Sequence, residues 1–241
     1  MEKSFFKVEV EPKQVDFTSR ASISSMCDII LYVAGLDAHK RGFGIQALAG
    51  KNFGWVLSRF CVELDYMPKE YDTIDIHTWI SDYNRLSSTR NFTLTDSEGT
   101  IFGRAVSQWC MLDFDTRMPV DMNTLAKVHD GTIVDAPSPC ERPRRVAAVQ
   151  GDEVAKHSVV YSDIDFNRHM NTMRYIDMIC DAMPIELLES YQSVRMDVNF
   201  MKEALYGDVI SLKAQQNGDV RAYEFSSEAG DALCRFAFDI K

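Results

Sequence analysis

Asp165-Phe166-Asn167-Arg168-His169, followed by Met170-Asn171, is the stretch that decides how this chain folds. An earlier run, Asp16-Phe17-Thr18-Ser19-Arg20, resembles it, and each opens a helix-like segment. Two further pairs follow in the same order. Tyr71-Asp72-Thr73-Ile74 resembles Tyr206-Gly207-Asp208-Val209. Glu98-Gly99-Thr100-Ile101-Phe102-Gly103-Arg104 resembles Ala229-Gly230-Asp231-Ala232-Leu233-Cys234-Arg235. Three matches in one order point to an internal duplication, and a duplication constrains the fold before local propensity does.

Each half reads as one long helix followed by several strands. In the first, Ile23, Met26, Ile30 and Val33 recur at helical spacing, with Thr18 or Ser19 as the cap and Gly35 as the stop. In the second, Met170, Met173, Ile176, Cys180 and Met183 do the same, with Asn167 or Asn171 as the cap and Pro184 as the stop. Segments 55–64, 73–79, 89–95 and 102–112 read as strands after the first helix. Segments 194–200, 208–214, 221–226 and 233–240 read as strands after the second. Ser97-Glu98-Gly99 and Asn217-Gly218 are turn signals between them. The span from Pro119 to Pro143 is proline-rich and poor in periodic positions, so it holds the connection between the halves. The boundaries this suggests are 1–125, a linker over 126–150, and 151–241. A helix followed by antiparallel strands is an α+β layout, in which the sheet wraps the helix's apolar stripe. That is the hot-dog arrangement, expected here twice in tandem.

Composition narrows the function classes. The 241 residues suit one large domain or two small ones, and 46% hydrophobic content supplies a core. No run approaches the ~18 apolar residues of a membrane span, and Met1 to Lys7 lacks the apolar centre of a secretory signal. Cys27, Cys61, Cys110, Cys140, Cys180 and Cys234 lie far apart with no CxxC pair. They read as free thiols of a reducing cytoplasm, with no zinc site and no disulfide frame. A net charge of -10 argues against a nucleic-acid binder. No phosphate-loop or dinucleotide glycine signature is present, and no cofactor is implied.

The duplicated turn is chemically asymmetric. Its first copy offers Asp16, Thr18, Ser19 and Arg20; only the second offers Asp165, Asn167 and His169. A helix start presents unpaired N–H groups that can hold an oxygen becoming negative. Acid/base side chains beside it suit attack on a carbonyl. The plainer reading makes Asp165 and Asn167 turn and cap residues, with His169 on the surface. Glu203, after the strand-like 194–200, can return beside the helix start and supply a second carboxylate; its repeat counterpart falls near Lys69-Glu70.

At these residues the chain resembles the acyl–acyl carrier protein thioesterases. The resemblance rests on Ser162 through Ile176, with Asp, Asn and His at alternate positions, and on Asn199-Phe200-Met201-Lys202-Glu203. It extends to Trp55-Val56-Leu57-Ser58-Arg59 and Asp75 through Ile80. It implies a double hot-dog subunit that hydrolyses fatty acyl thioesters of acyl carrier protein and so ends chain elongation. Its catalytic positions map onto Asp165, Asn167, His169 and Glu203. Some members carry a Cys after the acidic residue; here Ala204 stands there, so a Cys–His mechanism has no support at this site. An acyl tunnel would draw on Met26, Phe53, Trp55 and Met111. Arg142, Arg144 and Arg145 form the densest basic run for an acidic carrier bearing a phosphopantetheine arm. The resemblance also suggests a homodimer. Rival readings are an acyl-CoA thioesterase, a hot-dog hydratase or dehydratase, and an acyl-binding module without turnover.

Overall fold

The computed structural model describes residues 2–44, 52–125 and 131–241. Its first half contains β1 (Ser4–Glu9), α1 (Ile23–Lys40), β2 (Phe53–Leu64), β3 (Thr73–Tyr83), β4 (Ser88–Thr95) and β5 (Ile101–Asp113). Its second contains β6 (Asp152–Ser158), α2 (Thr172–Asp181), α3 (Ile185–Ser190), β7 (Val194–Phe200), β8 (Val209–Asn217), β9 (Val220–Ser227) and β10 (Ala232–Ile240). The ten strands form one sheet in the order β1-β3-β4-β5-β2-β7-β10-β9-β8-β6. Every neighbouring pair in it is antiparallel.

The two halves thus repeat one strand order and meet at β2 and β7, where Phe60 faces Val198 and Val62 faces Met196. The long helices lie on one side of this sheet and touch each other. Met26, Ile30 and Val33 of α1, Ile176 and Ile179 of α2, and Phe60, Val62, Met196 and Val198 share one buried cluster. The tandem hot-dog expected from the periodicity is the observed fold. Among the described residues no helix is long and apolar enough to cross a membrane.

Several local expectations need correction. α1 is capped by Ser22, whose side chain accepts the Ser25 N–H, and not by Thr18 or Ser19. Those two belong to the preceding turn, where Asp16 takes the Thr18 N–H at 2.8 Å and Ser19 is left-handed (φ +59°). Gly35 does not stop α1, which runs on to Lys40 and ends before left-handed Gly42. In the second half the cap is Asn171, which accepts the Met173 N–H at 2.8 Å and leaves Asn167 free of that duty. β1 and β6, absent from the sequence reading, are the two edge strands. Each pairs on one side only, and charged residues hide their alternation, as edges commonly require.

The span after Pro119 is ordered where it is described. Residues 131–150 contain no helix or named strand, while 126–130 of the expected linker lie outside the described residues. β7 alternates Val194, Met196 and Val198, which face the core, with buried Arg195, Asp197 and Asn199. The linker backbone satisfies that polar row. Arg144 N–H donates to Asp197 Oδ1 at 2.8 Å, Val146 N–H to Asn199 Oδ1 at 2.8 Å, and Asn199 Nδ2 to the Arg144 carbonyl at 2.8 Å. Buried side-chain acceptors that would otherwise be costly tie the linker across the outer face of the sheet.

Candidate active site

Both copies of the Asp-Phe turn have one geometry. Asp16 N–H donates to the Arg20 carbonyl and Asp165 N–H to the His169 carbonyl, each at 2.9 Å. Arg20 bridges Lys69 as His169 bridges Leu205. Glu203, two residues before Leu205, therefore matches Met67, two residues before Lys69, and not the Lys69-Glu70 pair that the sequence pattern suggests. In the first half the equivalent of the acid is a buried methionine. The equivalent of the imidazole is Arg20, which donates to the carbonyls of Tyr191 at 2.9 Å and Leu188 at 3.2 Å at the end of α3. The first turn thus caps a helix, and the second faces a cavity.

That cavity has a volume of about 870 Å³ and is lined by both halves. Asp165, Asn167, His169 and Glu203 all border it. The loop carrying Glu203 is fastened to the Asp165–His169 turn through Met170 N–H, which donates to the Ala204 carbonyl at 2.9 Å. It is fastened to the sheet through Met201 and Lys202 N–H groups, which share the Leu233 carbonyl at 2.9 and 3.1 Å. Four polar groups from two stretches of the chain, 165–169 and the loop of Glu203, are therefore gathered where α2 begins.

Their roles differ in geometry. Asp165 Oδ1 accepts the backbone N–H groups of Asn167 (2.8 Å) and His169 (3.2 Å), so its carboxylate shapes the turn as Asp16 does in the first half. It acts on the imidazole through charge. Desolvation pulls His169 below the usual histidine range, the nearby Arg117 guanidinium adds to that, and Asp165 opposes it. His169 is therefore neutral near pH 7 and able to take a proton. The Asn167 side-chain amide has no hydrogen-bond partner among the described residues and faces the cavity. Most backbone donors at the helix start are occupied. Asn171 N–H goes to the Asp163 carbonyl at 2.7 Å, and Met173 N–H goes to the cap. Thr172, which lines the cavity, supplies the first N–H of α2, an orphan donor by position.

Away from these groups the walls are mainly apolar, with Asp28, Ser58 and Arg90 among the polar exceptions. Trp55 and Phe53, both expected in the tunnel, line it. A bulge in β2 after Leu57 changes the side-chain parity. Trp55 and Leu57 face the cavity before it; Phe60, Val62 and Leu64 face the core beyond it. Met111 lies opposite Trp55 in the β2–β5 register, and Met26 lies on the buried face of α1. Both are fully buried, and neither borders the cavity. Arg142, Arg144 and Arg145 do not border it either. Arg142 pairs with Asp82 at 2.6 Å and Arg144 with Glu141 at 3.5 Å, while Arg145 is exposed.

The profile of acyl-ACP thioesterase N-terminal domains matches residues 3–125, and that of the family's C-terminal domains matches residues 146–240. This chain belongs to the acyl-ACP thioesterase family. An acyl-ACP thioesterase structure from Bacteroides thetaiotaomicron is 32% identical, with a TM-score of 0.89 over 99% of this chain and 98% of the other. The 12:0-ACP thioesterase of Umbellularia californica shares the fold at a TM-score of 0.86 and 17% identity, over 99% and 97% of the two chains. A chloroplastic acyl-[acyl-carrier-protein] hydrolase of Cuphea viscosissima is 26% identical over 81% of this chain, which spans 49% of that relative's length. The chloroplastic oleoyl-acyl carrier protein thioesterase 1 of Arabidopsis thaliana is 23% identical over 93% of this chain and 67% of its own length.

Two features of this acyl-ACP thioesterase family member escaped sequence reading. Arg117 enters the site from the first half, and Gly35 opens onto the cavity from inside α1. The only local signal for Arg117 is Asp113-Phe114, a third Asp-Phe turn outside the duplicated pair.

Proposed function

We propose that this protein hydrolyses fatty acyl thioesters of acyl carrier protein and releases free fatty acid. The observation that carries the reading is the meeting of Asp165, Asn167, His169 and Glu203 on one apolar-walled cavity. The acyl chain lies against Trp55 and Leu57. Each methylene it buries contributes about 0.8 kcal/mol, or roughly fourfold in affinity. Glu203 and neutral His169 orient a water and take its proton as its oxygen bonds to the thioester carbon. The Asn167 amide and the Thr172 N–H hold the oxygen that becomes negative. Collapse breaks the carbon–sulfur bond, and the proton held at the base returns to the departing thiolate. Asp165 sets the turn and tempers the imidazole.

The carrier protein approaches the cavity mouth, where Lys202 borders the opening and Arg168 stands exposed on the catalytic turn. Arg142, Arg144 and Arg145 are the alternative carrier contact; replacing Arg144 and Arg145 by Glu should leave KM for acyl carrier protein unchanged if the mouth is the docking surface. The reading extends to a cytoplasmic homodimer in fatty acid biosynthesis, with a noncatalytic, chain-holding half over 1–125, a linker over 126–150 and a catalytic half over 151–241. Light scattering tests the dimer.

The decisive assay is thiol release from matched acyl chains on carrier protein and on coenzyme A. Preference for the carrier substrates is expected. Equal or better turnover of the coenzyme A substrates would make this an acyl-CoA thioesterase, and turnover of enoyl thioesters without thiol release would make it a hydratase.

A further inference from the structure

One cation at the cavity is absent from the reaction just described. Arg117 borders the cavity and forms an ion pair with Glu203. It comes from the turn that ends β5, in the half that carries none of Asp165, Asn167, His169 or Glu203. That turn is built rigidly. Asp113 Oδ1 accepts the N–H groups of Asp115 (2.8 Å) and Thr116 (3.1 Å). Arg117 N–H donates to the Asp113 carbonyl at 2.8 Å, and Asp113 N–H to the Met118 carbonyl at 3.0 Å. Arg117 itself is left-handed, with φ +59°. A long side chain rarely adopts that conformation, and such strain tends to gather at functional sites.

Glu203 is pinned from the other direction by the backbone bonds of Met201, Lys202 and Ala204. Two ordered turns, one from each half, therefore meet through a guanidinium and a carboxylate. We propose that Arg117 is a positioning residue that holds the Glu203 carboxylate toward the attacking water and keeps a fixed positive charge beside His169. This rests on the hydrolase reading for what Glu203 does. A planar guanidinium restrains a carboxylate better than an ammonium does. A restrained base has less freedom to lose on reaching the transition state. The same charge favours the neutral imidazole, in line with the downward displacement of His169. The charges that act on His169 are Asp165 on its own turn and Arg117 from the first half; Glu203 and Lys202, on the loop after β7, border the same cavity. Neither half then makes a complete site alone: the first contributes the residue that aims the second's base.

Arg117→Asn is the informative variant, because asparagine tolerates the left-handed backbone while losing the charge. The expected result is a fall in kcat of roughly tenfold or more, the scale for lost outer-shell partners, with KM little changed. In parallel, the His169 imidazole titrated by NMR, assigned with His169→Gln, should move to a higher midpoint. Arg117→Lys should restore that midpoint and recover only part of kcat. An unmoved midpoint, or an unmoved kcat, in Arg117→Asn overturns the proposal. A raised KM with intact kcat also overturns it, because Arg117 would then be a substrate contact. If the wild type released no thiol from any acyl carrier, the hydrolase reading would fail, while the NMR arm would still judge the placement of Arg117 beside His169.

Discussion

Replacing Asp163 by Asn should destabilise the protein by about 2 kcal/mol at pH 7 and much less in acid. Asp163 is fully buried just before the Asp165–His169 turn. Its Oδ2 accepts the Val160 N–H at 2.9 Å and His157 Nε2 at 2.6 Å, and its Oδ1 accepts Arg174 Nε at 2.9 Å. The first half contains a control. Gln14 Oε1 takes the Glu11 N–H at 2.8 Å in the equivalent position, so the backbone bond alone needs no charge. The charge serves His157 and Arg174. A hydrogen bond to a charged group contributes ~1.5–3 kcal/mol. Arg174 is 39% and His157 27% exposed, so water screens both pairs. One such bond's worth is therefore the reasonable loss for Asn, which keeps the Val160 contact. Ala removes all three contacts and should cost about 3–5 kcal/mol.

The pH dependence carries the sign. Burial works against ionisation of Asp163, but the Val160 N–H, His157 and Arg174 outweigh it and hold its pKa below the usual carboxylate range. Its stabilisation is present above the unfolded pKa of about 3.9 and is lost as pH falls through the lower folded value. Urea unfolding of wild type and Asp163→Asn at pH 7 and at pH 3 measures both. A difference that persists undiminished at low pH, or is under about 0.5 kcal/mol at pH 7, would refute the assignment of this carboxylate as a charged hub.

Two other outcomes follow from the site. Because His169 is held below its ordinary pKa, kcat/KM should stay high down to about pH 6.5 and fall only at lower pH; an acid limb centred at or above about 6.5 would contradict the desolvated, Arg117-flanked imidazole. Gly35 lies inside α1, and a methyl group placed on its Cα would meet no atom within 4 Å; Gly35→Ala should raise stability by about 0.5–1 kcal/mol, read from thermal unfolding, whereas Gly35→Phe should shift preference toward shorter acyl chains by narrowing the cavity.

How much of this was legible before the fold was known depends on which face a residue serves. The helices and central strands declared themselves because α1 and the strands beneath it bury regular apolar stripes. β1 and β6 did not, because edge strands pair once and carry charge where a core strand carries valine. β7 was recognised as a strand, but nothing local announces that the linker covers Asp197 and Asn199. The polar cluster that borders the cavity was legible in the second half because Asp165, Asn167 and His169 crowd one turn. Their exact partner in the repeat was not, because Lys69-Glu70 imitates an acid position that backbone pairing gives to Met67. Arg117 was invisible for a different reason: it reaches the site through tertiary contact from a turn with no repeat counterpart in the second half's motif.

The central claim is that one copy of a duplicated turn performs chemistry while the other only caps α3. Thiol release from an acyl carrier substrate, measured side by side for Asn167→Ala, Glu203→Ala and Thr18→Ala, tests it most directly, since Thr18 occupies in the first turn the place of Asn167 in the second. The account predicts a fall of about 10²-fold or more in the first two and a near-wild-type rate in Thr18→Ala. Wild-type rates in Asn167→Ala and Glu203→Ala, or an equal loss in all three, would contradict it.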